Sequence, residues 1–255
     1  MPLSNTMDKF YFGDVLIDAL YAGDQKIWPA GGGEFNPLSL PGLSIWLDAT
    51  TIGLGHDAEI YNWANLGSGE DAVLYGGTAR MQNFGPNGRP VVAFWSGQGR
   101  VRMYSTGVEM EFTLAYVARM SGAVAGRIVN GIYEPANILF GFWNGFMDVG
   151  YDNGFGSTSS TQKAQDQNWH LYSADGTVTP AIEDRLFSDG MQLGTIATSQ
   201  GWKGTFSISG YAPTAADETP NCEVAEVLLY NRKLSDADRE QVEDYLRFKW
   251  GVGLS

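Results

Sequence analysis

The chain has 255 residues, a formal net charge of −13 and a single cysteine. That length can bury a full core and fits one large domain with a small appendage. The charge excludes nucleic acid and anionic membrane as expected partners, because both need a basic surface, and one cysteine excludes an internal disulfide.

No run approaches the ~18 apolar residues of a membrane-spanning helix, so membrane insertion is not expected. The polar start MPLSNTMDK lacks the apolar centre of a signal peptide, so synthesis in the cytosol is the expectation. Abundant glycine and aromatic residues with few charges favour many short strands joined by tight turns.

The first 30 residues carry an internal repeat. Phe10-Tyr11-Phe12-Gly13-Asp14-Val15-Leu16-Ile17 is echoed ten positions later by Leu20-Tyr21-Ala22-Gly23-Asp24-Gln25-Lys26-Ile27. Each unit reads as two strand pieces around a Gly-Asp turn. A ribbon this small cannot bury its own apolar rows. It can pack on its own large domain or associate with other chains, and with no disulfide or metal cluster to staple it, association is the expected route. Phe10, Phe12, Ile17, Tyr21, Ile27 and Trp28 are the residues expected at that surface. Closed by Trp28-Pro29, the pattern resembles the N-terminal modules of tailed-bacteriophage minor tail proteins. The resemblance implies a virion structural protein, homotrimeric, made in the host cytoplasm and partnered by other tail proteins.

Residues 31–37 form a hinge by composition, three glycines running to a proline. The expected organisation is therefore an assembly module over 1–30, this hinge, and one domain over 38–255. Within that domain Leu43, Ile45 and Leu47 alternate with Ser44, Trp46 and Asp48, as a strand requires, and a loop with Trp63-Ala64-Asn65-Leu66-Gly67 follows. Further strands are expected at 89–94, 111–118 and 168–173, with an apolar run over 138–149. Asp189-Gly190 marks a tight hairpin. Val224 to Tyr230 is too apolar on both faces for a sheet edge. Ser235 is placed to cap a helix with Val242, Tyr245 and Leu246 on one stripe and Gly251 as its stop.

This ending, EVLLYNRKLSDAD and a short helix, resembles the close of the LamG-like, concanavalin A-like jelly roll. The WLDA, WANLG, Trp169-His170 and Asp189-Gly190 segments resemble earlier parts of the same family. The fold class expected is all-β: a jelly-roll sandwich with a short C-terminal helix, preceded by a small β-hairpin module. Its display on a tail implies adhesion to a host-surface or cell-wall glycan, with a stand-alone lectin as the alternative and a polysaccharide hydrolase as a third reading.

Catalytic chemistry is hard to find. Two histidines and one cysteine do not build a metal cluster, and no G-x-S-x-G elbow or phosphate loop occurs. A glycosidase needs two carboxylates flanking the bond; Glu109 and Glu111 lack a third acid, and Glu223 and Glu226, three apart in a strand, are expected on opposite faces. His170 reads as structural and Cys222 as an inert core thiol. The chain is therefore expected not to be an enzyme and to need no cofactor. The resemblance adds one accessory, a rim Ca²⁺, for which Asp48, Asp71, Asp152 and Asp189 are loop-side candidates without any being named a ligand. Sugar binding needs exposed aromatics beside amides or carboxylates. Trp143, Tyr151, Asn153, Trp202 and Tyr211 have that setting, while Phe140 and Phe142 are expected in the core.

Overall fold

The computed structural model describes residues 35–253 apart from 75–76, 96–102, 109–110, 123–125, 133–137, 153–162, 178–182, 198–203 and 211–217, together with five short strands between Ser4 and Trp28. Those five are β1 (Ser4–Thr6), β2 (Lys9–Phe12), β3 (Val15–Ile17), β4 (Leu20–Ala22) and β5 (Gln25–Trp28). Phe12 pairs with Val15 in one antiparallel hairpin and Ala22 with Gln25 in the next, so each repeat unit is a hairpin whose Gly-Asp pair lies outside the described residues. The register sets Phe10 opposite Ile17 and Tyr21 opposite Lys26.

The main body runs through β6 (Leu43–Asp48), β7 (Glu59–Ile60), β8 (Asn62–Trp63), β9 (Ala72–Leu74), β10 (Ala79–Gln82), β11 (Val91–Phe94) and β12 (Met103–Val108). It continues through β13 (Phe112–Met120), β14 (Val129–Ile132), β15 (Ile138–Trp143), β16 (Phe146–Asp152), β17 (Lys163–Ala164) and β18 (His170–Thr177). Last come β19 (Glu183–Ser188), β20 (Met191–Ala197), β21 (Gly204–Ile208), β22 (Cys222–Tyr230) and helix α1 (Asp236–Trp250). One sheet orders its strands β20-β19-β18-β13-β22-β11-β10-β7, with β6 on the remaining half of β22, and the other runs β17-β16-β15-β14-β21-β12-β9-β8. This is the expected β-sandwich with one terminal helix.

Period-two alternation builds two cores. Phe112, Leu114, Tyr116, Ala118 and Met120 of β13 face Phe140, Phe142, Phe206 and Ile208 of the other sheet. The intervening Ala115 and Val117 face outward and are covered by Val242, Leu246 and Trp250 of α1. Strand β22 lies between these layers with all nine residues buried, the reason its sequence is apolar throughout. The ring centroid of Phe35 lies 5.9 Å from that of Tyr245, and Pro37 is buried, its carbonyl accepting the Tyr230 hydroxyl at 3.0 Å.

Two irregularities along β22 break simple alternation. Register shifts between Leu229 and Tyr230, so that Tyr230 pairs with Leu43 but Leu229 with Ile45, and Leu43 joins the helix side instead of the sandwich core. In β22, Val117 faces Glu226 while Ala118 faces Val224, leaving Ala225 as a bulge. Glu223, bonded to Arg119, and Glu226, bonded to groups of α1, therefore share the helix-side face, contrary to the expectation of opposite faces. Glu226 is fully buried there, not open to a substrate.

That carboxylate accepts from Trp46 Nε1 and Trp250 Nε1, both at 2.7 Å, and from the Tyr245 hydroxyl at 2.9 Å, with Lys249 Nζ at 2.7 Å. Burial raises its pKa despite the opposing effect of Lys249. Lys249 also holds Asp48 at 2.6 Å. The helix starts at Ser235, whose hydroxyl accepts from Asp238 N, and stops at Gly251 in the left-handed region. Asn87 Nδ2 and Arg89 Nε both donate to the Lys249 carbonyl near its end.

Glu226→Gln would turn an amide NH₂ toward an indole N–H or the Lys249 ammonium. The expected cost is about 3 kcal/mol, read as a lowered urea midpoint at unchanged m-value; an unchanged midpoint would contradict this account of the helix anchor.

Candidate functional site

The helix covers one outer face, leaving the other sheet and the mouth between sheets for ligands. The run over 138–149 is folded back on itself: Asn144 (φ 48°) and Gly145 (φ 87°) form the two-residue turn between β15 and β16, and Trp143 pairs with Phe146 across it. Two successive positive φ values are the demand of such a hairpin, and Asn-Gly meets it at low cost. Phe140 and Phe142 face the core as expected, together with Ile138. Trp143 lies on the alternate, outer face, where it is half-buried, and Phe146 is 41 % exposed. Tyr151, opposite Leu139 on the same face, is half-buried with the Arg127 guanidinium 6.0 Å from its ring centre. Asn153, Trp202 and Tyr211 lie outside the described residues, as do the side chains of the six candidate assembly residues.

Beside this hairpin, β16 carries a second bulge. Gly141 pairs with Val149 but Trp143 with Phe146, so Met147 and Asp148 together face one residue, Phe142. Gly141 itself must be glycine, since a Cβ there would collide with the Tyr116 hydroxyl. Asp148 takes φ 63° and turns its carboxylate inward. Its Oδ1 accepts the Tyr172 hydroxyl at 2.8 Å, and its own N–H donates back to that oxygen at 3.1 Å. Lys163 of the edge strand β17 brings Nζ to 3.0 Å from Oδ2.

The next turn of chain completes the cluster. Gln165 N–H donates to the Gly145 carbonyl, setting residues 165–170 alongside the hairpin tip. His170 stands between two carboxylates, Nε2 at 2.9 Å from Asp166 and Nδ1 at 3.4 Å from Asp189. Asp189 is held by Leu171 N–H in the two-residue turn that the Asp189-Gly190 pair predicts. Burial lowers the His170 pKa, but Asp189 and Asp166 outweigh it and hold the imidazole above its ordinary value. The structural reading of His170 thus acquires its partners, while no pattern in the sequence singles out Asp148, Lys163 or Asp166. The Asn-Gly pair at 144–145 is the signal that sets Phe146 opposite Trp143.

Three of the four rim carboxylates considered for Ca²⁺, Asp48, Asp71 and Asp189, are engaged within the chain, and the side chain of Asp152 lies outside the described residues. Asp48 accepts from the backbone and hydroxyl of Thr50 and pairs with Lys249. Asp71 accepts from Asn62 Nδ2 and Asn65 N–H, and the first of these bonds lowers its pKa most. The loop with Asn65 is likewise structural. Asn65 Oδ1 accepts Trp46 N–H, its Nδ2 donates to the Ser44 carbonyl, and a Cβ on Gly67 would sit 2.5 Å from that carbonyl oxygen. Among the described residues no three His, Cys, Asp or Glu side chains are grouped to hold a metal ion, and no helix is long and apolar enough to cross a membrane. Cys222 is buried, which pushes its thiol pKa well up and leaves it inert.

Neither a protein-family model nor a curated protein sequence matches the chain. Solved structures share its fold. Domain 4 of AbnA, an extracellular arabinanase from Geobacillus stearothermophilus solved with arabinotriose, matches at TM-score 0.52 and 10 % identity over 80 % of this chain and 98 % of that one. Trypanosoma rangeli sialidase in complex with sialic acid matches at TM-score 0.54 and 14 % identity over 91 % of this chain and 36 % of that one. The binding domain of botulinum neurotoxin DC in complex with SialylT gives TM-score 0.54 and 13 % identity, covering 81 % of this chain and 52 % of that one. The chain thus spans about half the length of the toxin domain and little more than a third of the sialidase. At these identities the likeness establishes the β-sandwich fold.

Because the folded pKa of His170 is raised, its stabilisation is complete below the ordinary imidazole range and is lost as pH rises through the folded value. The difference in melting temperature between wild type and His170→Gln should therefore be largest near pH 5 and shrink toward pH 8. A difference independent of pH would show that His170 does not bridge the two carboxylates.

Proposed function

We propose that the chain is a non-enzymatic glycan-binding sandwich, displayed by a tailed-bacteriophage tail toward the host surface. The observation that carries the sugar reading is the Trp143–Phe146 pair on the Asn144-Gly145 turn. It sets two aromatic rings, one of them well exposed, on a rigid hairpin at an otherwise polar sheet end. Aromatic faces on a fixed backbone stack on the apolar faces of sugars without an ordering cost. The arabinotriose complex of the arabinanase domain, which the match covers almost whole, supports this reading. Tyr151, with Arg127 against its ring, extends the surface along the same face.

The tail assignment rests on the N-terminal repeat and its likeness to minor tail modules. The paired strands β2–β3 and β4–β5 fit two small ribbon units that need partners to bury their apolar rows. In this reading the protein is a homotrimer on the virion, with residues 1–30 as its attachment module. The non-enzymatic reading is supported by the burial of Glu226, which removes it as the partner of Glu223 in a carboxylate pair across a sugar.

A glycan array probed with the full chain should give a defined sugar signal, and Trp143→Ala and Phe146→Ala should each weaken it roughly 10-fold. No signal, or a signal indifferent to both substitutions, would refute the surface. Light scattering should report a trimer that dissociates when residues 1–30 are removed; an unchanged mass would favour a stand-alone lectin instead.

A further inference from the structure

We propose that Asp148 anchors the primary ammonium group of an amino-sugar ligand, and that Lys163 occupies that place while no ligand is bound. The inference rests on the glycan-binding reading and names the class of sugar. Asp148 is a charged side chain only 2 % exposed, in a backbone conformation that a non-glycine residue adopts at a cost. A carboxylate so placed needs full compensation. Its Oδ1 has the Tyr172 hydroxyl, while among the described residues Oδ2 has the Lys163 ammonium at 3.0 Å and no other partner.

Among the described residues one cation lies within 4 Å of Asp148, the ammonium of Lys163 at 3.0 Å. It belongs to a two-residue edge strand and to a side chain 63 % exposed, so it can swing into water without disturbing the core. Contrast the Glu226 carboxylate, whose donors are two indoles, a phenol and a lysine whose side chain is 14 % exposed. One buried acid is sealed by the fold; the other is closed by a removable group of the chemistry the ligand would bring.

The surroundings set the ligand's charge. Asp148, Asp166 and Asp189 face Lys163 and His170, which leaves a net −2 with neutral imidazole and −1 when it is protonated. With the lysine displaced, each value becomes one unit more negative. A sialylated, sulfated or phosphorylated glycan would be repelled here and an ammonium attracted. The same carboxylates are not grouped to hold a metal ion, which favours an organic cation. Phe146 pairs with Ala164 and Met147 with Lys163, so the exposed ring and the carboxylate stand on opposite faces of the sheet at its β17 edge. At strand spacings of ~4.8 Å the span calls for a short oligosaccharide, stacked by one unit on Phe146 and reaching Asp148 with the amine of another.

Calorimetry on the full chain would compare a glucosamine tetrasaccharide, its N-acetylated counterpart and sialyllactose. The free-amine form should bind roughly 10-fold tighter than the acetylated one, with sialyllactose weakest. Lys163→Ala should tighten the amine form roughly five-fold and leave the acetylated form unchanged. Asp148→Asn, a residue that tolerates positive φ, should abolish the amine preference. Equal affinity for the two tetrasaccharides, or weaker amine binding in Lys163→Ala, would overturn the proposal. If the acetylated sugar binds through Phe146 with no advantage to the amine, this inference falls and the glycan reading stands; if no glycan binds, both fall.

Discussion

The architecture depends on a single buried carboxylate. Glu226 lies at the centre of the nine-stranded sheet, beneath the helix, and is held by Trp46 of the first main strand and by Trp250, Tyr245 and Lys249 of the last element. Apolar burial between α1 and the sheet supplies most of the driving force, but it is non-directional and would let the helix slide or rotate. The carboxylate does not: it has few acceptor positions, and each donor comes from a fixed place. Residues 46, 226 and 250 are thereby brought to one point, which seats the helix in a single register and closes the chain on itself.

A bulge makes this possible, and a bulge also places the buried charge of Asp148. In β22 the extra residue Ala225 rotates Glu226 onto the helix side. In β16 the doubled Met147-Asp148 rotates Asp148 into the mouth of the sandwich. Both are departures from period two that set a charge where alternation forbids it. Their surroundings differ in kind. Glu226 has donors of the fold on every side, so its role ends with stability. Asp148 shares a tyrosine and an exposed lysine at a sheet edge, and a buried charge kept so lightly matched has a cost that stability alone does not explain.

What was legible in the sequence follows from the same contrast. Periodic stretches could be read: β13 and β22, the cap at Ser235, the stop at Gly251 and the Asp189-Gly190 turn all obey local rules. Alternation also separated Phe140 and Phe142 from Trp143 correctly. The faces of Leu43 and Glu226 could not be read, because each depends on a bulge fixed by the partner strand and not by its own neighbours. The polar cluster was invisible for a further reason. Asp148, Lys163, His170 and Asp189 are spread over three strands and a turn, and one sheet mouth brings them together only after both sheets have formed.

The position of the candidate site then follows from the layering. α1 and its buried charges cover the outer face of the nine-stranded sheet, and the sandwich interior is filled by the rings of Phe112, Tyr116, Phe140 and Phe206. Recognition is left with the second sheet's outer face and the seam where its edge meets the first. The Asn144-Gly145 hairpin lies at that seam, with Trp143 and Phe146 on one side and the Asp148 cluster on the other. Because the turn demands two left-handed residues and the bulge beside it a third, the hairpin is held to one shape, and a ligand meeting it would lose little affinity to ordering the protein.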